Sequence, residues 1–409
     1  MTRRRRLLWC GDGGCQTGFA RATHGILDVL RETYDVGVLA IGYRGDPHEY
    51  PYPLYPCWPG GDMFGVNRLP WALQTFQPDL VMVQQDPWNV PSYVQAIRET
   101  DGFATTPIVG AIAVDGKNCK GKALNGLDLA IFWTMFAMDE AAQGGYKNTS
   151  AVVPLGVDLD IFRPRDRSAA RLARRLPDVM PRGHKRDEAF IVGNVNRNQP
   201  RKRLDLLIQY FAEWVHRDAV DDAYLYLHVA PTGDDGYDCE QLARYYGVLD
   251  RLCLCQPEVY NGEDNDGLVD TYCAFDVNAT TTQGEGFGLT TFEAMACGVP
   301  CIVPDWSALG ELCHGAAMLV PCTSTIATHS RINSIGGVAD KEEYVKALAD
   351  VYTYRTLRDK LTRLGRKLVE EPRFRWRAVG EGFRDALDHV VPGGNRIAAV
   401  SDGTLPDRR

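Results

Sequence analysis

Two carboxylates and three glycines stand close together in the stretch from Gly284 to Pro300. Glu285 and Glu293 are eight positions apart, and glycines occupy positions 284, 286 and 288. A helix pattern follows from about Leu289, so the glycine loop predicts the start of a helix within an α/β unit. Backbone N–H groups at such a start favour an anion, typically a phosphate. The two carboxylates would instead accept hydrogen bonds from the hydroxyl groups of a sugar or a ribose.

Glu293 also has a structural interpretation. Thr290 and Glu293 have the spacing of a capping box, in which the glutamate bonds back to a backbone N–H at the helix start. Glu285 lies between two glycines in a loop, where no comparable structural role is available. The sequence therefore leaves two interpretations of Glu293 open and only the functional one for Glu285.

Four cations precede a second predicted helix, at positions 197, 201, 202 and 203. Cations at a helix start oppose the helix dipole, so this cluster is costly unless an anion completes the site. Arg presents a fork that suits phosphate oxygens, and Lys supplies a mobile point charge. The alternative is a solvated basic helix cap. The helix itself is predicted by apolar residues at helical spacing: Leu204, Leu207, Ile208, Phe211, Trp214 and Val215.

These motifs resemble those of the retaining family 4 glycosyltransferases (glycosyl transferases group 1), which have the GT-B fold. Glu285-x7-Glu293 is similar to the family's E-x7-E motif, and Arg197-x4-Lys202 to its Arg-x4-Lys pair. Residues 154–164 resemble the stretch PxGVDxxxFxP that precedes the interdomain linker. The resemblance covers most of the chain and is stronger in the C-terminal half.

The resemblance implies a role for each candidate residue in binding a nucleoside-diphosphate sugar. Glu285 would contact the transferred sugar together with the loop, and Glu293 would hold the ribose. The residues expected at the donor sugar are Glu285, Gly286, Phe287 and Gly288, and those at the diphosphate are Arg197, Lys202, Gly18, Gly288 and Leu289. The loop with Gln256 and Glu258 would meet the base.

Asp115 ends a predicted strand, near the position where many family members carry a His or Asp beside the reacting sugar. Open α/β sheets bind ligands at the carboxyl ends of their strands. Asp115 and Glu285 are therefore the catalytic candidates. His24 lies in the first predicted helix, where packing is favoured over catalysis.

The predicted elements form two βα arrays of similar size, which indicates an α/β protein with two Rossmann-like domains facing across a cleft. Residues 1–180 are expected to form the acceptor-side domain, and residues 181–372 the nucleotide-sugar domain. The resemblance implies that a helix within residues 373–391 crosses back to the first domain. We expect an irregular excursion at 45–65, a polar loop at 323–338 and a disordered tail at 392–409.

Composition narrows the functional classes. The chain has 409 residues and a formal net charge of -8, which argues against a general nucleic-acid binder. The Arg3–Arg6 run is interpreted as a solvated tail. Twelve cysteines without paired spacing argue against a zinc site and favour a reduced, cytoplasmic location. The sequence contains no run of 18 apolar residues, so it predicts no integral membrane segment.

The resemblance implies a hexosyltransferase that moves a sugar from a UDP- or GDP-sugar to an acceptor hydroxyl with retention of configuration. No D-x-D pair stands in a suitable loop, so we expect no metal and no other cofactor. A glycan, a lipid, a protein and a modified nucleic-acid base all remain open as acceptors. Two alternatives remain: an isomerase similar to nucleotide-sugar 2-epimerases, which share the fold, and an inactive nucleotide-sugar-binding protein.

Overall fold

The computed structural model describes residues 3–15, 17–229, 236–255, 263–329 and 332–390. Its first half builds a seven-stranded parallel sheet with the strand order β3-β2-β1-β4-β5-β6-β7. The strands are β1 (Arg5–Asp12), β2 (Tyr34–Ile41), β3 (Leu54–Pro56), β4 (Leu80–Gln85), β5 (Ile108–Ile112), β6 (Leu129–Phe132) and β7 (Thr149–Val152). The helices are α1 (Gly18–Leu30), α2 (Leu69–Phe76), α3 (Val90–Glu99), α4 (Met135–Gln143) and α5 (Arg167–Ala173).

The second half builds a six-stranded parallel sheet with the strand order β10-β9-β8-β11-β12-β13. Its strands are β8 (Phe190–Asn196), β9 (Ala223–Val229), β10 (Leu252–Cys255), β11 (Val277–Ala279), β12 (Cys301–Pro304) and β13 (Met318–Val320). Its helices are α6 (Leu204–Arg217), α7 (Cys239–Tyr245), α8 (Asn265–Cys273), α9 (Leu289–Ala296) and α10 (Ser307–Leu312). The two sheets confirm the predicted α/β class with two Rossmann-like units.

Helix α6 shows why the apolar pattern is informative. The six apolar residues at helical spacing are all buried in this helix. They pack on one face of the second sheet, where they form a hydrophobic cluster with β8 and β9. A parallel sheet needs such cover on both faces, because its strands are buried on each side.

Two predicted loops contain strands. Within the expected polar loop, β14 (Cys322–Ala327) pairs antiparallel with β15 (Ile335–Ala339). The alternation of apolar residues is missing because most of β14 is exposed on the surface. The short β3 lies within the expected irregular excursion and pairs with the edge of β2, where its proline costs no interior ladder bond.

Three helices end the described chain: α11 (Lys341–Thr353), α12 (Arg355–Val369) and α13 (Trp376–Asp388). Helix α13 packs against α1 of the first domain. Gly25 and Gly156 make room for Trp376, since a Cβ would come within 2.4 Å and 2.8 Å of its ring. The last helix therefore joins the second half of the chain to the first.

Candidate functional site

The glycine loop before α9 needs glycine at two positions for different reasons. Gly288 is the N-cap of α9 and has a φ of 99°, in the left-handed region, and a Cβ there would lie 2.5 Å from Leu309 Cδ2. Gly284 approaches the first domain, where a Cβ would lie 1.7 Å from the carbonyl oxygen of Asp115. The loop thus touches the opposite domain directly.

Two helix starts meet across the cleft. Helix α1 begins at Gly18, after Thr17, whose hydroxyl accepts a hydrogen bond from the Ala20 N–H at 3.1 Å. A Cβ on Gly18 would lie 3.5 Å from Cδ1 of Leu289, the first residue of α9. Each start carries backbone N–H groups without intrahelical partners, so their combined field favours an anion.

A ladder of alternating charges runs from one domain to the other beside these helix starts. Lys202 Nζ lies 2.6 Å from Glu285 Oε1, and Arg201 Nη1 lies 3.4 Å from Glu285 Oε2. Arg201 also donates to the Gly284 carbonyl, and its Nε lies 3.0 Å from Asp115 Oδ2. Arg201 therefore bridges the two catalytic candidates, which the sequence places far apart.

Burial strongly affects the charges of this ladder. Burial lowers the pKa of Lys202 to about 8, although the neighbouring Glu285 carboxylate raises it. For Glu285, burial alone would raise the pKa, but the charges of Lys202 and Arg201 hold it below its usual value. Glu285 is therefore ionised at neutral pH, and Lys202 is an ammonium close to its titration point.

Asp115 is fixed from two sides. Besides Arg201, the Ser334 hydroxyl contacts Asp115 Oδ1 at 3.3 Å. Asp86 follows β4, and burial together with the charge of Asp115 raises its pKa to about 7, against the effect of Arg201. The sequence places Arg201 only in the cation cluster expected to bind an anion, and it gives no role to Ser334 or Asp86, although a position just after a parallel strand could have pointed to Asp86.

Glu293 does not cap its helix. The N-cap of α9 is Gly288, and no side chain caps that end, so the capping-box interpretation is wrong. The Glu293 carboxylate instead accepts hydrogen bonds from Arg21 of α1 and, at 2.7 Å, from the Tyr272 hydroxyl. The Glu293 carboxylate is therefore buried and paired across the cleft, and nothing in the sequence indicated Arg21 as its partner.

Comparison with known proteins gives a family match within the C-terminal half of the chain. Residues 186–352 match the sequence model of the family described as glycosyl transferases group 1. The C-terminal domain belongs to this family. The match confirms the resemblance inferred from Glu285, Glu293, Arg197 and Lys202.

Curated relatives match mainly over part of the chain. A D-inositol 3-phosphate glycosyltransferase of Geodermatophilus obscurus is 36% identical over 174 residues, which are 40% of this chain and 36% of the relative. One of the same name from Saccharomonospora viridis is 32% identical over 238 residues, 56% of this chain and 48% of the relative. The chain thus aligns with less than half the length of these relatives.

Solved structures match over almost the whole chain. Sucrose-phosphate synthase from Thermosynechococcus elongatus matches with a TM-score of 0.69 at 17% identity. The match covers 94% of this chain and 98% of the synthase chain. Anabaena HepE, in complex with UDP and glucose, matches with a TM-score of 0.67 at 16% identity. The match covers 94% of this chain and 100% of the HepE chain. The architecture is therefore GT-B, as the resemblance implied.

The group 1 domain holds the first domain through further contacts across the cleft. Backbone N–H and C=O groups of Lys117 and Ile335 exchange two hydrogen bonds of 2.9 Å, which tie the β14–β15 hairpin to the end of the first sheet. Glu311 accepts hydrogen bonds from the N–H groups of Met135 and Phe136, at 3.0 Å and 2.7 Å, at the start of α4. These bonds describe a closed cleft.

The remaining candidates have simple placements. Arg197 is exposed, and its charge acts on Asp12, whose pKa is raised by burial. Phe287 is buried against Phe292, with ring centroids 4.6 Å apart, so only its backbone is available to a ligand. Gln256 and Glu258 lie outside the described residues.

His24 serves packing. Its Nε2 faces the Gly13 carbonyl at 2.9 Å, and its Nδ1 faces the Tyr52 hydroxyl at 2.7 Å. A carbonyl only accepts, so Nε2 carries the proton and Nδ1 accepts from Tyr52. Burial lowers the pKa of His24, which keeps this ring neutral.

Among the described residues, one group has the composition of a metal site. Ligand atoms of His228, Cys255 and Glu263 lie within 4.8 Å of one another. However, Arg174 Nη2 lies 3.2 Å from Cys255 Sγ and 3.0 Å from Glu263 Oε2. The guanidinium already supplies the positive charge there. In the described part of the chain, no helix is long and apolar enough to span a membrane.

Proposed function

We propose that this protein transfers a sugar from a nucleoside-diphosphate donor to an acceptor hydroxyl, with retention of configuration and without a metal. One observation carries the proposal. The starts of α1 and α9 meet across the cleft beside the pair of Lys202 and Glu285. A phosphate-binding field thus adjoins a sugar-binding carboxylate, which is the combination that a nucleotide sugar needs.

The donor would lie along α9. Glu293 would hold the ribose, and the N–H groups at Gly18, Gly288 and Leu289 would face the diphosphate together with Arg197 and Lys202. Glu285 and the backbone of Gly286, Phe287 and Gly288 would contact the sugar. Lys202 Nζ donates a hydrogen bond to the Glu285 carboxylate at 2.6 Å. We infer that the donor diphosphate takes over this ammonium.

The reaction then follows from where charge develops. The bond between the anomeric carbon and the diphosphate breaks, and the acceptor oxygen bonds to that carbon from the same face. The acceptor proton passes to the leaving diphosphate. Lys202, Arg197 and the two helix starts stabilise the negative charge of this leaving group, in place of a metal. The closed cleft excludes water and so limits hydrolysis of the donor.

The donor base is proposed to be uracil or guanine, and the sugar a hexose. The structure of HepE with UDP and glucose supports a UDP-sugar in particular. D-inositol 3-phosphate, named in the relatives, is the first acceptor to try among glycan, lipid, protein and modified-base acceptors. The isomerase and the inactive binder are less favoured, because the four motif residues of the transferase family are all present: Arg197, Lys202, Glu285 and Glu293.

The decisive experiment combines binding with product analysis. UDP-, GDP-, ADP- and TDP-sugars are screened by thermal stabilisation, with and without EDTA. A ligand at about 100 times its Kd should add roughly 2.7 kcal/mol to the unfolding free energy. The donor that responds is then incubated with the acceptor panel, and the anomeric configuration of the product is read by NMR.

The outcomes separate the candidate functions. Transfer with retention that survives EDTA supports the proposal. Conversion of the donor sugar without transfer would identify an isomerase, and binding without turnover an inactive binder. Loss of activity in EDTA, restored by a divalent cation, would contradict the metal-independent mechanism.

A further inference from the structure

Residues of helices α1 and α9 contact each other across the cleft at two successive levels. Gly18 starts α1 opposite Leu289, which starts α9. One turn further along each helix, Arg21 contacts Glu293. Because residues three or four apart share a helix face, the same two faces create both contacts. The expected ribose carboxylate and the expected diphosphate region are thus one helical turn apart.

Both oxygens of the Glu293 carboxylate are engaged. Arg21 contacts Oε1, and the Tyr272 hydroxyl donates to Oε2 at 2.7 Å. Glu293 is only 2% exposed, so no surface of the carboxylate is open to a ligand. A ribose can therefore reach Glu293 only if Arg21 moves away.

Arg21 has a second anion site within reach. Its side chain leaves α1 three positions after Gly18, beside the two helix starts that favour a phosphate. Its guanidinium also lies over the Phe162 ring, 5.1 Å from the centroid. A planar guanidinium pairs equally well with carboxylate and with phosphate oxygens.

We propose that Arg21 exchanges partners when the donor binds, leaving Glu293 to the ribose hydroxyls and binding the donor diphosphate. Arg21 is then a donor-binding residue contributed by the acceptor-side domain. After the exchange, Glu293 is hydrogen-bonded to Tyr272 and to the ribose hydroxyls, and Arg21 is paired with the diphosphate, because the ribose and the diphosphate arrive together. This inference rests on the proposed function.

The exchange makes opposite predictions for a nucleoside and its diphosphate. A nucleoside displaces Arg21 from Glu293 but offers it no phosphate. The Arg21→Ala variant should therefore bind the nucleoside more tightly than wild type, by on the order of threefold to tenfold. The same variant should bind the nucleoside diphosphate about tenfold or more weakly, since a charge-assisted contact is lost.

The experiment measures Kd by calorimetry for UDP and uridine, or for GDP and guanosine if GDP binds more tightly to wild type. The variants are Arg21→Ala and Arg21→Lys, and Arg31→Ala is the matched control. Arg31 lies just after the far end of α1 and pairs on the surface with Asp28 at 3.2 Å. Arg31→Ala therefore removes one positive charge from the same helix without touching the cleft. Arg21→Lys should restore part of the diphosphate affinity.

Each result has a clear reading. Opposite changes for nucleoside and diphosphate, absent in Arg31→Ala, support the exchange. Tighter binding of both would reduce Arg21 to a blocking residue, and weaker binding of both would make it a support of Glu293; either overturns the exchange. Unchanged affinities in Arg21→Ala refute this inference alone, whereas a wild-type protein that binds no nucleoside diphosphate refutes the proposed function as well.

Discussion

Donor affinity should fall as the pH rises through the pKa of Lys202. The Lys202 side chain is 11% exposed, and burial lowers its pKa to about 8. A diphosphate is attracted by the ammonium and not by the neutral amine. Binding should therefore require the protonated form, and the pH dependence of the donor Kd reports the pKa of the free enzyme.

The size of the effect follows from that pKa. With a pKa of about 8, roughly nine tenths of Lys202 is protonated at pH 7 and about one tenth at pH 9. The Kd of the donor should rise about tenfold between these two values, with a limiting slope of one decade per pH unit. Calorimetry with the UDP- or GDP-sugar identified by the screen, between pH 6.5 and about 9, measures this directly.

Two variants make the test specific to Lys202. In Lys202→Arg the guanidinium stays charged, so the affinity should be flat over this range apart from any titration of the ligand itself. In Glu285→Gln the midpoint should move to lower pH, because the Glu285 charge raises the pKa of Lys202. A flat wild-type profile, or the same slope in Lys202→Arg, would refute the assignment of Lys202 to the diphosphate.

Three further substitutions test other parts of the site. Glu285→Gln should lower turnover at least about tenfold while the protein stays folded, with some loss of melting temperature because Lys202 loses its partner, as measured by steady-state kinetics and a thermal scan; wild-type turnover would remove Glu285 from the mechanism. Gly284→Ala should abolish transfer while each domain stays folded by circular dichroism, because its Cβ would lie 1.7 Å from the Asp115 carbonyl oxygen, whereas Gly183→Ala, which strains a φ of 91° but meets no atom within 4 Å, should lose some stability and keep activity. Glu311→Ala should lower the free energy of unfolding by about 1 kcal/mol in denaturant titrations, since it removes the acceptor of two N–H groups at the start of α4 and leaves only the Thr134 cap; equal stability would show that solvent replaces it.

Much of the fold follows from local patterns. The helix predicted near 341–353 is α11 (Lys341–Thr353), where Asp340 caps the start and an apolar stripe faces the core. The glycine loop and the helix after it were predicted because glycine at 288 and 298 serves positions with positive φ. These signals lie within a few residues of the structure that they determine.

The contacts between domains could not be predicted in the same way. Arg21 and Glu293 are 272 residues apart in the chain, and Arg201 and Asp115 come from opposite sheets. No local period links such pairs, so their partners emerge only when the two domains are placed together. The β14–β15 hairpin was missed for a related reason, because its exposed strand lacks the alternation that burial would impose.

The charge ladder explains why closure and donor binding should be linked. Asp115, Arg201, Glu285 and Lys202 alternate in sign across the cleft, and each is compensated by a neighbour in the closed state. A donor adds negative charge at one end of this ladder and hydroxyl groups at the carboxylates, so it changes which neighbour compensates which charge. Because an uncompensated buried charge is costly, the ladder must rearrange as a unit. A nucleoside diphosphate, which lacks the sugar, would leave Glu285 without new hydroxyl partners. The nucleotide sugar, rather than the nucleotide alone, is therefore the ligand that completes the closed site.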